Sequence, residues 1–218
     1  MIQKVTYPSV NTVLFPLLPS RVERLLDVGC GTGALGQAIK SRYSAEVDGI
    51  TYSDEEHRVA SKALDRVWLG DLNTFAFEQL GVYDCIVCSH VLEHLYDPWD
   101  VLRRMKANLS PSGTLIVALP NALEIRTRLQ FLRGRFRYSD WGILDRTHYR
   151  FFDLFSAREL IDQAGFRIDH FSSEGSFPMP VLRPLLGNFA ARIDAWANRT
   201  WPGLVAFQFV FRCTHADP

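Results

Sequence analysis

The chain has 218 residues, 47% hydrophobic and 22% charged, proportions ordinary for a globular protein and unlike those of a disordered or fibrous one. Lysine plus arginine and aspartate plus glutamate both number 24, so no overall field points to nucleic acid or an anionic membrane. The first ten residues lack the apolar run of a signal peptide, and no stretch of 18 apolar residues spans a bilayer; a single cytoplasmic domain is the expectation.

Apolar runs alternate with helical patterns, which argues for βαβ units around a parallel sheet. Residues 24–28 (RLLDV) read as a strand that enters the glycine-rich 29–36 (GCGTGALG) and then a helix to about Arg42. Residues 45–51 are the second strand. Ser53 and Glu56 in SDEE form a capping box that starts a helix. Residues 66–71 are a short third strand and 83–89 (YDCIVCS) a fourth. Asp97 caps a helix with Pro98 at its first position, running to about Leu109, and 113–119 are the fifth strand.

The rhythm changes after that. Between residues 124 and 150, seven arginines face only Glu124, Asp140 and Asp145, and Phe131, Phe136, Tyr138 and Trp141 are interleaved. Such a segment suits an anionic acceptor, or RNA, whose bases stack on arginine and aromatic planes. It also suits a solvated face whose arginine stems cover apolar surface. Residues 156–166 form a helix with Ser156 at the N-cap, Glu159 completing a box and Gly165 ending it. Residues 167–172 and 204–212 are two final strands. Between them 181–199 reads as one amphipathic helix with Leu185, Phe189, Ile193 and Trp196 on one face. Packing of that face on the sheet or the basic segment is the expectation; peripheral membrane contact is the alternative.

Four cysteines are present. Cys85 and Cys88 spell C-x-x-C, but they stand in an apolar strand, where residues three apart point to opposite faces, so they read as core residues. The turn after the first strand carries more chemistry. It places unpaired amides and a positive helix end at the carboxyl edge of a sheet. Gly31, Gly33 and Gly36 satisfy the G-x-G-x-x-G of dinucleotide binders, which leaves an NAD(P)-dependent oxidoreductase open.

The longer string LLDVGCGTG resembles the first motif of the class I S-adenosylmethionine-dependent methyltransferases, and GITYS, GDL, YDCIVCSHVLEHLYDP, LSPSGTLIVALPN and DRTHYRFFDLFSARELIDQAGF continue the resemblance in order. It implies an α/β, Rossmann-like seven-stranded mixed sheet of order 3-2-1-4-5-7-6, last strand antiparallel, with helices on both faces. It further implies one domain over 1–218, with a substrate-binding insertion at about 121–150 and a helical one at about 178–200. The cofactor implied is S-adenosylmethionine, leaving as S-adenosylhomocysteine. Asp27, Gly29, Cys30, Gly31 and Gly33 would cradle it. Asp71, with Leu72 beside it, would accept from the adenine amino group, Tyr52 would pack on the adenine, and Ser89 and His90 would lie beneath the methionine portion. The family's ribose-binding acid is replaced by Thr51. The acceptor implied is a small molecule, sugar or glycan carrier, with nucleic acid less suited.

His90, Glu93 and His94 spell H-x-x-E-H, a zinc-protease string. A buried strand ends just before His90 and Pro98 follows four residues after His94, leaving no room for the long helix that such a protease needs. Small-RNA 3′-end 2′-O-methyltransferases and some quinone O-methyltransferases have a similar E-x-x-E-H after strand four that helps to bind a divalent ion. By that resemblance Glu93, His94 and His148, with His90 in place of the first glutamate, would hold Zn²⁺, Mn²⁺ or Fe²⁺ in preference to Mg²⁺. The expectation placed first is metal-free: His148 and His94 as candidate general bases, with Asp145 as orienter.

Overall fold

The computed structural model describes residues 10–179 and 183–216. Residues 1–9, part of the stretch screened for a signal peptide, and Val181 and Leu182, the start of the expected C-terminal helix, lie outside them. A 3₁₀ turn at Thr12–Leu17 leads into β1 (Arg24–Val28), α1 (Ala34–Arg42), β2 (Glu46–Thr51), α2 (Asp54–Ala60), β3 (Arg66–Leu69) and β4 (Tyr83–Ser89). Then come α3 (Pro98–Met105), β5 (Leu109–Pro120), α4 (Ile125–Leu132), α5 (Leu154–Gln163) and β6 (Phe166–Gly175). Three helices, α6 (Arg183–Leu186), α7 (Asn188–Thr200) and α8 (Pro202–Val205), precede β7 (Ala206–His215).

The seven strands form one sheet in the order β3-β2-β1-β4-β5-β7-β6. The first five run parallel, and β7 lies antiparallel to both β5 and β6. Each face of the sheet carries its own core. Leu14, Ile39, Ala60 and Leu64 cover one; Leu102, Met105, Leu160 and Ile161 cover the other. Cys88 belongs to one core and Cys85 to the other, as the two-residue period of a strand requires. The four cysteines are buried and form no disulfide, and burial holds the thiols of Cys85, Cys88 and Cys213 above their usual range.

Several element boundaries differ from the sequence expectation. The third helix stops at Met105, and β5 begins at Leu109 rather than 113. The Asn108 side chain ends the helical run by donating to the carbonyls of Phe77 and Gly81. The cap of α5 is Asp153, not Ser156. The Asp153 carboxylate accepts from the Ser156 amide at 2.8 Å, and the Ser156 hydroxyl accepts from the Asp153 amide at 2.9 Å. That reciprocal pair sits one turn earlier than a Ser156–Glu159 box would. The expected single helix over 181–199 breaks at Gly187, whose φ of 48° interrupts it between α6 and α7. Its apolar face does not pack on the sheet. Ala190 and Ala197 are buried, whereas Leu185, Phe189 and Trp196 are 81%, 55% and 53% exposed. No helix among the described residues is long and apolar enough to cross a membrane.

Candidate active site at the strand-order reversal

The strand order reverses at β1, which pairs β2 on one side and β4 on the other. Crossovers leave in opposite directions there and open a crevice at the carboxyl ends of the strands. The turn after β1 lies in that crevice. Gly31 has a φ of 54°, and a Cβ built on it meets no atom within 4 Å, so its backbone is open to a ligand. Gly29 is closed instead. A Cβ there would stand 2.5 Å from Val91 Cγ2, so the glycine turn packs directly against the turn after β4. Gly33 precedes α1, and the Cys30 amide donates to the Ile50 carbonyl at 2.9 Å, fixing the turn against β2.

Asp27 is interior. One carboxylate oxygen has no hydrogen-bond partner, and burial pushes the carboxyl up to about 7, against the pull of the Gly36 amide. At the end of β2, Thr51 is buried and its hydroxyl donates to Glu56 Oε2 at 2.6 Å. Ser53 caps α2 by accepting from the Glu56 amide, yet the Glu56 side chain is buried and reaches Thr51. A capping-box reading assigns that carboxylate to the Ser53 backbone, and so hides it as a candidate for the crevice. Tyr52 beside it is 70% exposed. Asp71 Oδ1 accepts from the Asn73 amide and side chain at 2.9 and 2.7 Å, and Leu72 is buried beneath. The Asn73 side-chain Oδ1 in turn accepts from the Tyr96 amide, joining this loop to the turn after β4.

That turn is not a protease helix. His90 has a φ of 53°, and Leu92–His94 form a single 3₁₀ turn. His90 is held by two partners: Nε2 lies 2.9 Å from Gln208 Oε1, and Nδ1 lies 3.4 Å from Glu93 Oε1. Desolvation pulls the His90 pKa down, but Glu93 and Gln208 outweigh it and leave it raised. Gln208 also bonds Asn11 and Glu174, so residues from three distant parts of the chain fix this histidine. Asn11 reaches Ser89 Oγ too, at 3.3 Å. No sequence motif pointed to Asn11, Glu174 or Gln208.

Glu93 is 1% exposed. Burial alone would raise its pKa, but His90, His94 and His148 together bring it below the usual value, so it is a carboxylate among three imidazoles. Its Oε2 has no hydrogen-bond partner. The Glu93 carbonyl accepts from the amides of Tyr149 and Arg150, which carries the segment after β5 back over the site. His148 thereby comes to lie against His94, with ring centroids 4.7 Å apart. His94 Nδ1 stands 3.2 Å from the Thr147 carbonyl, and His148 Nδ1 stands 3.1 Å from the Ile143 carbonyl. A carbonyl can only accept, so both rings donate from Nδ1, which in a neutral imidazole leaves the lone pair on Nε2. Burial lowers the His148 pKa, keeping the ring neutral. Asp145 bonds the residue before His148. Its carboxylate accepts from the Thr147 amide and hydroxyl, both at 2.8 Å, and so orients His94 through Thr147.

One ligand atom from each of Glu93, His94 and His148 lies within 4.8 Å of the others. An orphaned buried carboxylate oxygen and two imidazoles fixed in the ligand tautomer fit a divalent ion. The same atoms fit a proton acceptor beside an ionised carboxylate. The remaining histidines lie elsewhere: His57 bonds the Val67 carbonyl, His170 is in β6, and His215 bonds Leu109.

Residues 8–170 match the family described as a methyltransferase domain. A ubiquinone biosynthesis O-methyltransferase of Xanthomonas campestris pv. campestris (strain B100) is 32% identical over 123 residues, covering 52% of this chain and 51% of the relative. One from Xanthomonas axonopodis pv. citri (strain 306) is 31% identical over the same length. The chain therefore spans about half the length of the curated relatives it matches. A SAM-dependent methyltransferase from Archaeoglobus fulgidus superposes with a TM-score of 0.65 at 17% identity, over 92% of this chain and 89% of that one. One from Mesorhizobium loti gives 0.63 at 17%, over 92% and 95%. At that identity the likeness is one of fold.

Proposed function

The chain belongs to the methyltransferase-domain family, and from that premise we propose that it transfers the methyl group of S-adenosylmethionine to the hydroxyl of a small-molecule acceptor and releases S-adenosylhomocysteine. The observation that carries the reading is the contact of Gly29 with Val91, which sets an open glycine turn beside Glu93, His94 and His148. Cofactor and acceptor would meet across that contact.

The chemistry needs little from the protein. The sulfonium is a good leaving group, so the site must align the acceptor oxygen, methyl carbon and sulfur and exclude water. Gly31 and Gly33 would receive the carboxyl end of the cofactor, Thr51 with Glu56 the ribose, and Tyr52 and Asp71 the adenine. A hydroxyl nucleophile must lose a proton as it attacks. His148, neutral and with Nε2 free, is the proposed general base, and His94 is its neighbour in the same tautomer. The unpartnered Glu93 Oε2 favours a second reading, in which Glu93, His94 and His148 hold a divalent ion. Such an ion would lower the pKa of the acceptor hydroxyl.

The relatives' name supports O-methylation of a small molecule. The arginines after β5 extend the proposed class to anionic acceptors such as sugar phosphates or glycan carriers. A thermal-shift titration tests the cofactor. S-adenosylhomocysteine should raise the melting temperature and NAD(H) and NADP(H) should not, and Gly31→Arg should abolish the shift while the variant still melts cooperatively. Stabilisation by a nicotinamide cofactor instead would reject the reading. Metal analysis of untagged protein beside His148→Ala separates the two chemistries: stoichiometric metal lost in the variant selects the ion, and metal-free active protein selects the base.

A further inference from the structure

Two segments rise from the carboxyl edge of the sheet at its β5–β7–β6 side. Residues 121–152 follow β5, and residues 176–205 join β6 to β7. Hydrogen bonds tie them into one surface. Arg126 donates to the Ser176 carbonyl and hydroxyl, Arg128 to the Gly203 carbonyl, and Asn121 to the carbonyls of Gly203 and Ala206.

This surface exposes large apolar side chains to solvent. On the first segment Leu129, Leu132, Phe136, Tyr138 and Trp141 are exposed, Leu132 by 82%. On the second, Phe189 and Trp196 stand on the outer stripe of α7, seven residues apart with the half-buried Ile193 between them. Trp196 packs edge-on against the exposed Trp201, and Leu185 extends the stripe onto α6. An apolar helix stripe turned away from its own core, beside further exposed leucines and aromatics, lacks a partner within the described residues.

The charge of the same surface is one-sided, although the whole chain is neutral. Residues 124–138 hold five arginines and one glutamate, and residues 183–199 three arginines and one aspartate. The two acids are already engaged: Glu124 caps α4 and is buried, and Asp194 pairs with Arg183 at 2.8 Å. Arg133, Arg135 and Arg137 are exposed and have no ion-pair partner among the described residues. Residues 135–138 alternate arginine and aromatic outside any helix. The rings of Phe136 and Tyr138 meet at 5.2 Å, and in sequence Arg137 lies between them and Arg135 beside them.

Aromatic and leucine side chains with a rim of unpaired arginines match the interfacial region of an anionic bilayer. There the apolar groups enter the acyl boundary and the guanidinium groups meet lipid phosphates. Stacking on single-stranded RNA would use the aromatics and arginines but leave Leu132 and Leu185 unexplained. We propose that this carboxyl-edge surface, built from 124–141 and α6–α8, docks the protein on anionic membranes. The surface borders the candidate active site, since Phe136 meets Phe151 and Phe151 meets His148, both at 6.2 Å between ring centroids. Docking is nonetheless independent of the methyl-transfer reading and is tested without turnover.

The test is co-sedimentation of the full chain with vesicles of phosphatidylglycerol and phosphatidylcholine, with vesicles of phosphatidylcholine alone, and with poly(U) RNA. Binding should require the anionic lipid and weaken with added salt. The pair Arg135→Glu and Arg137→Glu should lower vesicle affinity about tenfold or more, from the attraction that each surface arginine gives. The pair Phe189→Ser and Trp196→Ser should lower it as well. Both double variants should keep the wild-type melting temperature and its shift with S-adenosylhomocysteine. The proposal is overturned if the protein ignores anionic vesicles, if neither pair changes binding, if poly(U) binds in preference, or if light scattering finds a dimer that the Phe189/Trp196 pair dissolves.

Discussion

Thr51 and Glu56 meet at 2.6 Å although five residues separate them in the chain. Threonine stands where the family resemblance implies a ribose-binding acid, and the turn into α2 returns a carboxylate to the same place from inside the helix. If this pair receives the ribose hydroxyls, Glu56→Gln should weaken S-adenosylhomocysteine binding roughly tenfold, the worth of one hydrogen bond to a charged group, with little change in the unfolding midpoint. Calorimetry decides it, and unchanged affinity would return Glu56 to a structural role. His148 gives a second residue-scale expectation. Burial lowers its pKa, so a general base there is already deprotonated at neutral pH. The rate should rise with pH through a value below the usual 6.5 and then level. His148→Ala should remove that limb and cut kcat by about 10²–10⁴. A pH–rate profile unchanged in the variant would exclude His148 as the base.

Elements set where these side chains stand. The left-handed backbone at His90 ends β4 and starts the 3₁₀ turn that brings Glu93 inward and His94 towards Thr147. The segment after β5 is then pinned by the amides of Tyr149 and Arg150 on the Glu93 carbonyl. It continues into α5, whose Asp153–Ser156 box fixes the distance from His148 to the helix. Loss of the cap should therefore cost more than loss of an exposed acid. Asp153→Ala should destabilise the protein by about 1 kcal/mol. Glu159→Ala, which removes only a surface bond to Gln163, should cost much less. Equal losses in urea unfolding would contradict the assignment of Asp153 as the cap.

At the scale of the whole molecule, the site is carried at a cost to stability. Asp27 lies under the glycine turn with one oxygen unpartnered and a carboxyl pKa of about 7 against a usual 3.8. A folded pKa above the unfolded one means that stability is full below the unfolded value and falls as pH rises towards the folded one. The penalty should therefore grow between pH 3.8 and about 7 and then stay constant. Asp27→Asn should stabilise the protein more at pH 8 than at pH 4, by an amount on the order of a few kcal/mol at about 1.4 kcal/mol per pH unit, read as a larger rise in melting temperature at pH 8. A gain equal at both pH values would show that ionisation of Asp27 is not its source.

Local rules account for much of the architecture. Apolar runs of strand length, the glycine turn after RLLDV, the Asp97–Pro98 start of α3 and the alternation of strand with helix all follow from contacts within a few residues. Those contacts exist in the sequence before the chain folds. Ordered motifs added the strand order and the pairing of Glu93 and His94 with His148. Three features needed the tertiary structure. Glu56 turns to Thr51 because burial of its side chain outweighs the local capping option. His90 is held by Asn11, Gln208 and Glu174 through partners that no spacing rule connects. The apolar stripe of α7 faces outward because the small side chains of Ala190 and Ala197 allow the closest approach to the body of the protein. A helical period reveals that a face is apolar, but only packing decides whether the protein itself covers it.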